Sequence, residues 1–134
     1  MSKKLKVLVS GTGFAGQGHT DAFRAVGAEV VGIVGRTPSV VKKVAEKMAI
    51  PYFGIDWQQA LEDCKPDVVS IATPGGAHYA PITQAINFGC HVFSDKPLTT
   101  TGDSAVELYE LAEKKGVKTA FASSFRYMPH IMHA

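Results

Sequence analysis

The sequence has few cysteines, little net charge and no long hydrophobic run. Its 134 residues include two cysteines, Cys64 and Cys90, which lack metal-binding spacing. We expect both to be buried small apolar residues rather than a disulfide. The formal net charge of +2 is too small to indicate a nucleic-acid partner. No apolar run approaches the ~20 residues that span a bilayer, and the strand-like segment after Met1-Ser2-Lys3-Lys4 is too short for a signal-peptide core. These absences favour a cytoplasmic protein with no membrane partner.

A glycine-rich turn near the N-terminus carries the strongest motif. The apolar run at residues 5–9 leads into Gly11-Thr12-Gly13-Phe14-Ala15-Gly16, and a helical pattern follows. This is a Gly-x-Gly-x-x-Gly fingerprint between a strand and a helix, the context in which it predicts a dinucleotide site. Gly11 allows the tight turn, Gly13 lets the backbone approach a pyrophosphate, and Gly16 lets the helix sit close to the strand. The alternative is a glycine-rich turn that binds nothing.

Strand and helix patterns alternate along the rest of the chain. Predicted helices cover about residues 16–26, 38–48, 56–63, 78–88 and 103–115. Predicted strands cover about residues 5–9, 29–34, 52–53, 67–72, 91–94 and 118–122. In the first helix we expect Ala22, Phe23 and Val26 to form the buried stripe. The alternation predicts an α/β, doubly wound parallel sheet with helices on both faces. With the glycine fingerprint at its first turn, the sheet should be of the Rossmann type, with about six strands in the order 3-2-1-4-5-6. A ligand should then lie at the carboxyl ends of strands one and four.

The end of the second strand favours NADP over NAD. NAD-specific folds carry an acidic residue there for the ribose hydroxyls, whereas this chain has Gly35-Arg36-Thr37. Arg36 can make charge-assisted hydrogen bonds to a 2′-phosphate, and Thr37 adds a hydroxyl. The alternative is that Arg36 stacks on the adenine or faces solvent and either cofactor is accepted.

Taken together, these segments resemble the N-terminal domain of the Gfo/Idh/MocA oxidoreductases. The resemblance rests on four stretches that together cover essentially the whole chain, with Lys96-Pro97 the most specific element. The stretches are Gly11–Gly16 with His19, Ala72-Thr73-Pro74 with His78, residues 89–98, and Phe125-Arg126-Tyr127-Met128-Pro129. The resemblance implies hydride transfer between a nicotinamide and a secondary alcohol of a sugar, cyclitol or similar polyol.

The same resemblance implies roles for individual residues. Lys96 would be the catalytic lysine, hydrogen-bonded to the reacting oxygen or part of a proton relay, and would touch both cofactor and substrate. From the local sequence alone, Lys96 could equally be a surface lysine in a tight turn. Arg126 would lie on the substrate side. The fingerprint, the end of the second strand and the resemblance together give the residues expected to contact the cofactor: Gly11, Gly13, Phe14, Ala15, Gly16, Arg36, Thr37, Ala72, Thr73, Pro74, His78, Asp95 and Lys96.

The chain departs from the family pattern at two positions and ends early. Asp95 stands where the family usually has Glu, and Gly75 where Asn is common. Family members continue into a second domain that supplies most of the substrate pocket and the usual interface of a homo-oligomer. We therefore expect residues 1–122 to form the dinucleotide-binding domain and residues 123–134 to begin the connection to a substrate domain. The alternative is a stand-alone dinucleotide-binding module without catalysis.

Overall fold

The fold alternates strands and helices as the sequence predicts. A computed structural model describes residues 3–73, 75–96 and 99–121. The strands are β1 (Lys6–Ser10), β2 (Glu29–Val34), β3 (Tyr52–Gly54), β4 (Val68–Ile71), β5 (His91–Ser94) and β6 (Thr119–Phe121). The helices are α1 (Phe14–Ala25), α2 (Pro38–Met48), α3 (Trp57–Cys64), α4 (Tyr79–Phe88) and α5 (Gly102–Lys115), with a 3₁₀ turn at Gly75–Ala77 before α4. The predicted C-terminal connection at residues 123–134 lies outside the described residues.

All six strands pair in parallel in the order β3-β2-β1-β4-β5-β6, which confirms the predicted order. The register between β1 and β4 is regular, from Val7 opposite Val68 to Ser10 opposite Ile71. The register between β1 and β2 shifts once, between Val7 and Leu8. Because the strands are parallel, all six carboxyl ends lie on one edge of the sheet, where a Rossmann-type fold binds its ligand.

Two apolar clusters lie on opposite faces of the sheet, which confirms that helices cover both faces. Alternation along β1 turns Val7 and Val9 toward α1 and α2, and Leu8 toward α3, α4 and α5. The first cluster joins the sheet to Val41, Val44 and Ala45 of α2, with Phe23 of α1 packed against it. The second joins the sheet to α3, α4 and α5 through Ala60, Leu61, Ile82, Ala85, Ile86, Leu108 and Ala112.

Local signals set most helix ends. Thr37 is the N-cap of α2 with Pro38 at its first position, and glycines with positive φ follow three helices, at Gly27, Gly89 and Gly116. The Asp56 side chain accepts a hydrogen bond from the Gln59 backbone N–H at 3.0 Å and so caps the start of α3.

The predicted apolar stripe of α1 is wrong in part. The helix begins at Phe14 rather than Gly16, and its buried residues are Gly16 and Thr20. Phe23 packs against the core as expected, but Ala22 is exposed, and Val26 follows the helix and is 81% exposed. Gly16, Thr20 and Phe23 follow the i, i+4, i+7 spacing of one helix face. The Thr20 hydroxyl donates to the Gly16 carbonyl at 2.9 Å, so a polar residue on this face is buried with its hydrogen bond satisfied.

The two cysteines are free thiols. Cys90 is buried, as predicted, whereas Cys64 is only half-buried. Burial raises the pKa of the Cys90 thiol to about 11, with the Asp67 carboxylate adding to the effect. No helix within the described ranges is both long and apolar enough to cross a bilayer.

Candidate dinucleotide-binding site

The glycine-rich turn packs without room for side chains at its first and last glycines. Gly11 has φ +119°, and a Cβ there would lie 2.6 Å from the Ala72 carbonyl oxygen at the end of β4. A Cβ on Gly16 would lie only 2.0 Å from the Gly11 carbonyl oxygen. The backbone N–H of Gly11 donates to the Val34 carbonyl at 2.9 Å. These contacts bind the turn to the ends of β2 and β4 and draw the first turn of α1 against it.

Gly13 is different, because nothing in the described structure lies within 4 Å of where its Cβ would be. It is the N-cap of α1, with φ −80° and ψ −165°, which any residue can adopt. Packing and backbone conformation therefore do not require glycine at this position. The space beside Gly13 is open to solvent, at the place where the fingerprint predicts a pyrophosphate.

The N-terminus of α1 is open to an anion. No side chain caps the helix, and its first turn contains no acidic residue. The first N–H groups of a helix lack intrahelical partners and carry a partial positive charge. Phe14 is 96% exposed and Ala15 half-buried, and both follow the glycine turn at this end of the helix. The arrangement fits a diphosphate bound to main-chain donors.

A cleft of about 440 Å³ opens at this edge of the sheet, across the ends of β1, β2 and β4. Six of the predicted cofactor residues line it: Gly11, Gly13, Arg36, Thr37, Ala72 and Thr73. Six further residues line it that the sequence analysis missed: Ser10, Thr12, Val34, Gly35, Val40 and Ile55. Val40 and Ile55 are exposed apolar side chains that widen the cleft toward α2 and β3.

A second cleft of about 340 Å³ shares Arg36 and Thr73 with the first. Gly76, Ala77 and Pro81 complete its lining, at the start of α4. None of the described residues that line either cleft is acidic. Arg36 thus lies where the two clefts meet, and its side chain is exposed to solvent.

His78 connects the segment after β4 to the end of β5. It is fully buried, and its Nε2 contacts the Thr73 carbonyl oxygen at 2.5 Å. Because a carbonyl oxygen only accepts, this nitrogen must carry a proton. Its Nδ1 lies 3.3 Å from the Ser94 hydroxyl, which donates to the Asp95 carbonyl at 3.0 Å. His78 occupies the N-cap position of α4 but makes no side-chain capping bond, and it lines neither cleft.

Thr73 carries a polar atom that the folded chain leaves unsatisfied. Its hydroxyl oxygen is buried and has no hydrogen-bond partner within the described part of the chain. Buried hydroxyls are normally paired, because desolvation without a partner costs about 1–3 kcal/mol. Thr73 lines both clefts, so a ligand bound at their junction would be the natural partner.

Asp95 and Lys96 follow β5 on the same edge, beside the end of β4. The backbone N–H of Asp95 donates to the Ile71 carbonyl at 2.7 Å, and its Oδ1 accepts from the Lys96 N–H at 2.9 Å. Lys96 is exposed, and neither residue lines the two clefts. Pro74, Pro97 and Arg126 lie outside the described residues.

Comparison with known proteins connects this geometry to one family. Residues 5–123 match the Gfo/Idh/MocA model, described as an oxidoreductase family with an NAD-binding Rossmann fold. An uncharacterised oxidoreductase of Synechocystis is 31% identical over 96% of this chain and 35% of its own length. The D-xylose 1-dehydrogenase (NADP⁺) 2 of Haloferax volcanii is 31% identical over 87% of this chain and 37% of its own length. The crystal structure of GenD2 from gentamicin A biosynthesis, in complex with NAD, superposes with a TM-score of 0.88 at 29% identity, covering 96% of this chain and 37% of the other.

The match is thus to one part of longer proteins, since the chain spans little more than a third of the length of these relatives. The chain belongs to the Gfo/Idh/MocA oxidoreductase family, and residues 5–123 correspond to its NAD-binding Rossmann fold.

Proposed function

We propose that this chain is the cofactor-binding domain of an NADP-dependent oxidoreductase. The whole enzyme would transfer a hydride between the nicotinamide and a secondary alcohol of a sugar, cyclitol or similar polyol. The observation that carries the cofactor assignment is the cleft at the end of β1, with the open space beside Gly13 at one side and Arg36 at the other.

The residues of the cleft suit the parts of a dinucleotide. Main-chain N–H groups at the start of α1 would bind the diphosphate next to Gly13, where no side chain intervenes. The smaller cleft between Arg36 and Pro81 would hold the adenine, because a guanidinium plane stacks well on an aromatic ring. The buried Thr73 hydroxyl would gain a partner from the bound ligand.

The preference for NADP rests on charge at the ribose end. A 2′-phosphate would meet the guanidinium group of Arg36 and the hydroxyl of Thr37, which makes no capping bond to its own helix. No acidic residue lines either cleft within the described residues, so nothing there repels the phosphate. A hydrogen bond to a charged group contributes about 1.5–3 kcal/mol, or roughly a 10- to 150-fold difference in affinity.

Titration of wild type and Arg36→Ala with NADP and NAD tests this preference. We expect wild type to bind NADP at least about 10-fold more tightly than NAD, and Arg36→Ala to lose most of that difference without a change in NAD affinity. Lys43→Ala removes one exposed positive charge from α2 and serves as the control. Equal NADP affinities in wild type and Arg36→Ala would remove Arg36 from the site.

The catalytic proposal concerns Lys96. The bound nicotinamide would supply or accept the hydride. Lys96 leaves β5 on the ligand-binding edge, and its exposed ammonium group would hydrogen-bond the reacting oxygen and stabilise its negative charge as the carbon–hydrogen bond breaks. The hydroxyl proton would pass to a base, directly or through Lys96. Arg126 would contact substrate, as the family resemblance implies.

Turnover in the whole protein tests this role. The reading frame downstream of codon 134 would first show whether residues 123–134 lead into a second domain. In that protein we expect Lys96→Ala to lower kcat by about 100-fold or more while cofactor affinity changes little. Sugars and polyols are the substrates to screen, as the relatives include D-xylose 1-dehydrogenase and D-glucoside 3-dehydrogenase. Full activity of Lys96→Ala would contradict the assignment, and a stop codon after residue 134 would favour a binding module.

A further inference from the structure

The second turn of α1 carries a histidine that faces the sheet. His19 is half-buried, and its Nδ1 lies 2.7 Å from the hydroxyl of Ser70 on β4. Its ring meets the Phe93 ring of β5 edge-on, with 5.2 Å between the ring centres. The Phe23 ring, one turn further along α1, also meets the Phe93 ring edge-on, with 5.7 Å between the ring centres. His19 thus ties the phosphate-binding helix to β4 and β5 together.

These partners lie on the sheet face that also carries Asp95. Ser70 and Phe93 are register partners across β4 and β5. The hydrogen bonding between β4 and β5 continues one residue beyond Ser94, because the Asp95 N–H donates to the Ile71 carbonyl. Side chains two residues apart on a strand share a face, so Asp95 lies on the same face as Phe93, one step closer to the ligand-binding edge.

The imidazole of His19 also interacts electrostatically with the Asp95 carboxylate. Burial lowers the pKa of His19, and the Asp95 carboxylate acts against this in the opposite direction. Ser70, its hydrogen-bonding partner, is fully buried. A bond to a buried hydroxyl and an edge-on ring contact together hold the imidazole in one orientation.

We propose that His19 is a positioning residue, which sets the spacing between the start of α1 and the Asp95–Lys96 segment. The inference rests on the proposed function, in which α1 holds the diphosphate and Asp95–Lys96 lies at the nicotinamide. The nicotinamide half has the diphosphate at one end and the nicotinamide ring at the other. The positions of both would then depend on the contact that His19 makes with Ser70 and Phe93. The adenine half lies toward β2 and α4 and does not depend on it.

The experiment separates the two halves of the cofactor. NADPH and adenosine 2′,5′-bisphosphate, which lacks the nicotinamide half, are titrated against each variant by calorimetry, and the fluorescence of bound NADPH reports the surroundings of the nicotinamide. Ser70→Ala and His19→Phe remove the hydrogen bond, and His19→Asn keeps a polar atom near the position of Nδ1. Asp21→Asn, on the exposed side of α1, is the control. Thermal melting verifies that each variant is folded.

We expect Ser70→Ala and His19→Phe to weaken NADPH binding by roughly 2- to 10-fold and to change its fluorescence. Affinity for the bisphosphate should stay the same, and His19→Asn should recover most of the NADPH affinity. Equal losses for both ligands, or no loss for NADPH, would overturn the role of His19. The role of His19 would also be overturned if wild type bound NADPH no more tightly than the bisphosphate. A wild type that binds neither ligand would instead overturn the proposed function.

Discussion

Replacing Gly13 by alanine should abolish most dinucleotide binding without unfolding the chain. The added Cβ would meet no protein atom within 4 Å, and the backbone conformation at Gly13 suits alanine. Alanine is a poorer N-cap than glycine by roughly 0.5–1 kcal/mol, but it lowers the entropy of the unfolded chain by a similar amount. The free energy of unfolding should therefore change by less than about 0.5 kcal/mol.

The same Cβ would occupy the space through which a diphosphate approaches the main chain. Losing one charge-assisted hydrogen bond costs about 1.5–3 kcal/mol, so NADPH affinity should fall by roughly 10- to 150-fold. Gly18→Ala is the matched control, because its Cβ also meets nothing but lies in the interior of α1. That variant should bind normally and gain about 0.5–1 kcal/mol, or roughly 2–6 °C in Tm.

Calorimetric titration with NADPH and thermal melting of the three proteins provide both readouts. Wild-type affinity in Gly13→Ala would refute the placement of the diphosphate beside this residue. A large drop in its Tm would instead mean that the fold itself needs this glycine, contrary to the open space around it.

Three further predictions concern stability and reactivity. Gly16→Ala should lower the free energy of unfolding by about 3 kcal/mol in urea titrations, because its Cβ would overlap the Gly11 carbonyl; wild-type stability would contradict that packing. Burial lowers the pKa of His19, so the unfolded chain binds this proton more readily, and stability should fall as the pH drops below about 6.5. When Tm is measured from pH 8 to pH 5, His19→Asn should lose less stability than wild type. The same pH profile in both proteins would contradict a contribution from His19. Because the Cys90 thiol is buried and its pKa is raised to about 11, it should resist iodoacetamide at pH 8 and react once urea unfolds the chain. Mass spectrometry of the labelled peptides measures this, and labelling of Cys90 before unfolding would contradict the prediction.

Much of the fold could be predicted because its signals are local. The helix Pro38–Met48 and the strands Glu29–Val34 and His91–Ser94 have the predicted bounds, since capping residues, proline and glycine mark their ends. The strand order was predictable because the alternation of strands and helices is combined with the glycine fingerprint at the first turn. The buried face of α1 was not predictable from hydrophobicity, because it contains Gly16 and a threonine whose hydroxyl is satisfied within the helix.

In the candidate site, too, local sequence signals predict some of the residues, and long-range contacts place the others. Gly11, Arg36 and Thr73 each lie one or two residues after the end of a strand, so their place at the cleft follows from the parallel sheet alone. Val40 and Ile55 line the same cleft, yet in sequence an apolar residue in a helix or after a short strand indicates the core. The one available signal was that β3 neighbours β2, which brings the residue after β3 to the same edge. His78 carried the opposite ambiguity, because a polar residue before a helix suggests a cap. Its burial between Thr73 and Ser94 depends on the distance between the segment after β4 and the end of β5, which only the folded sheet defines.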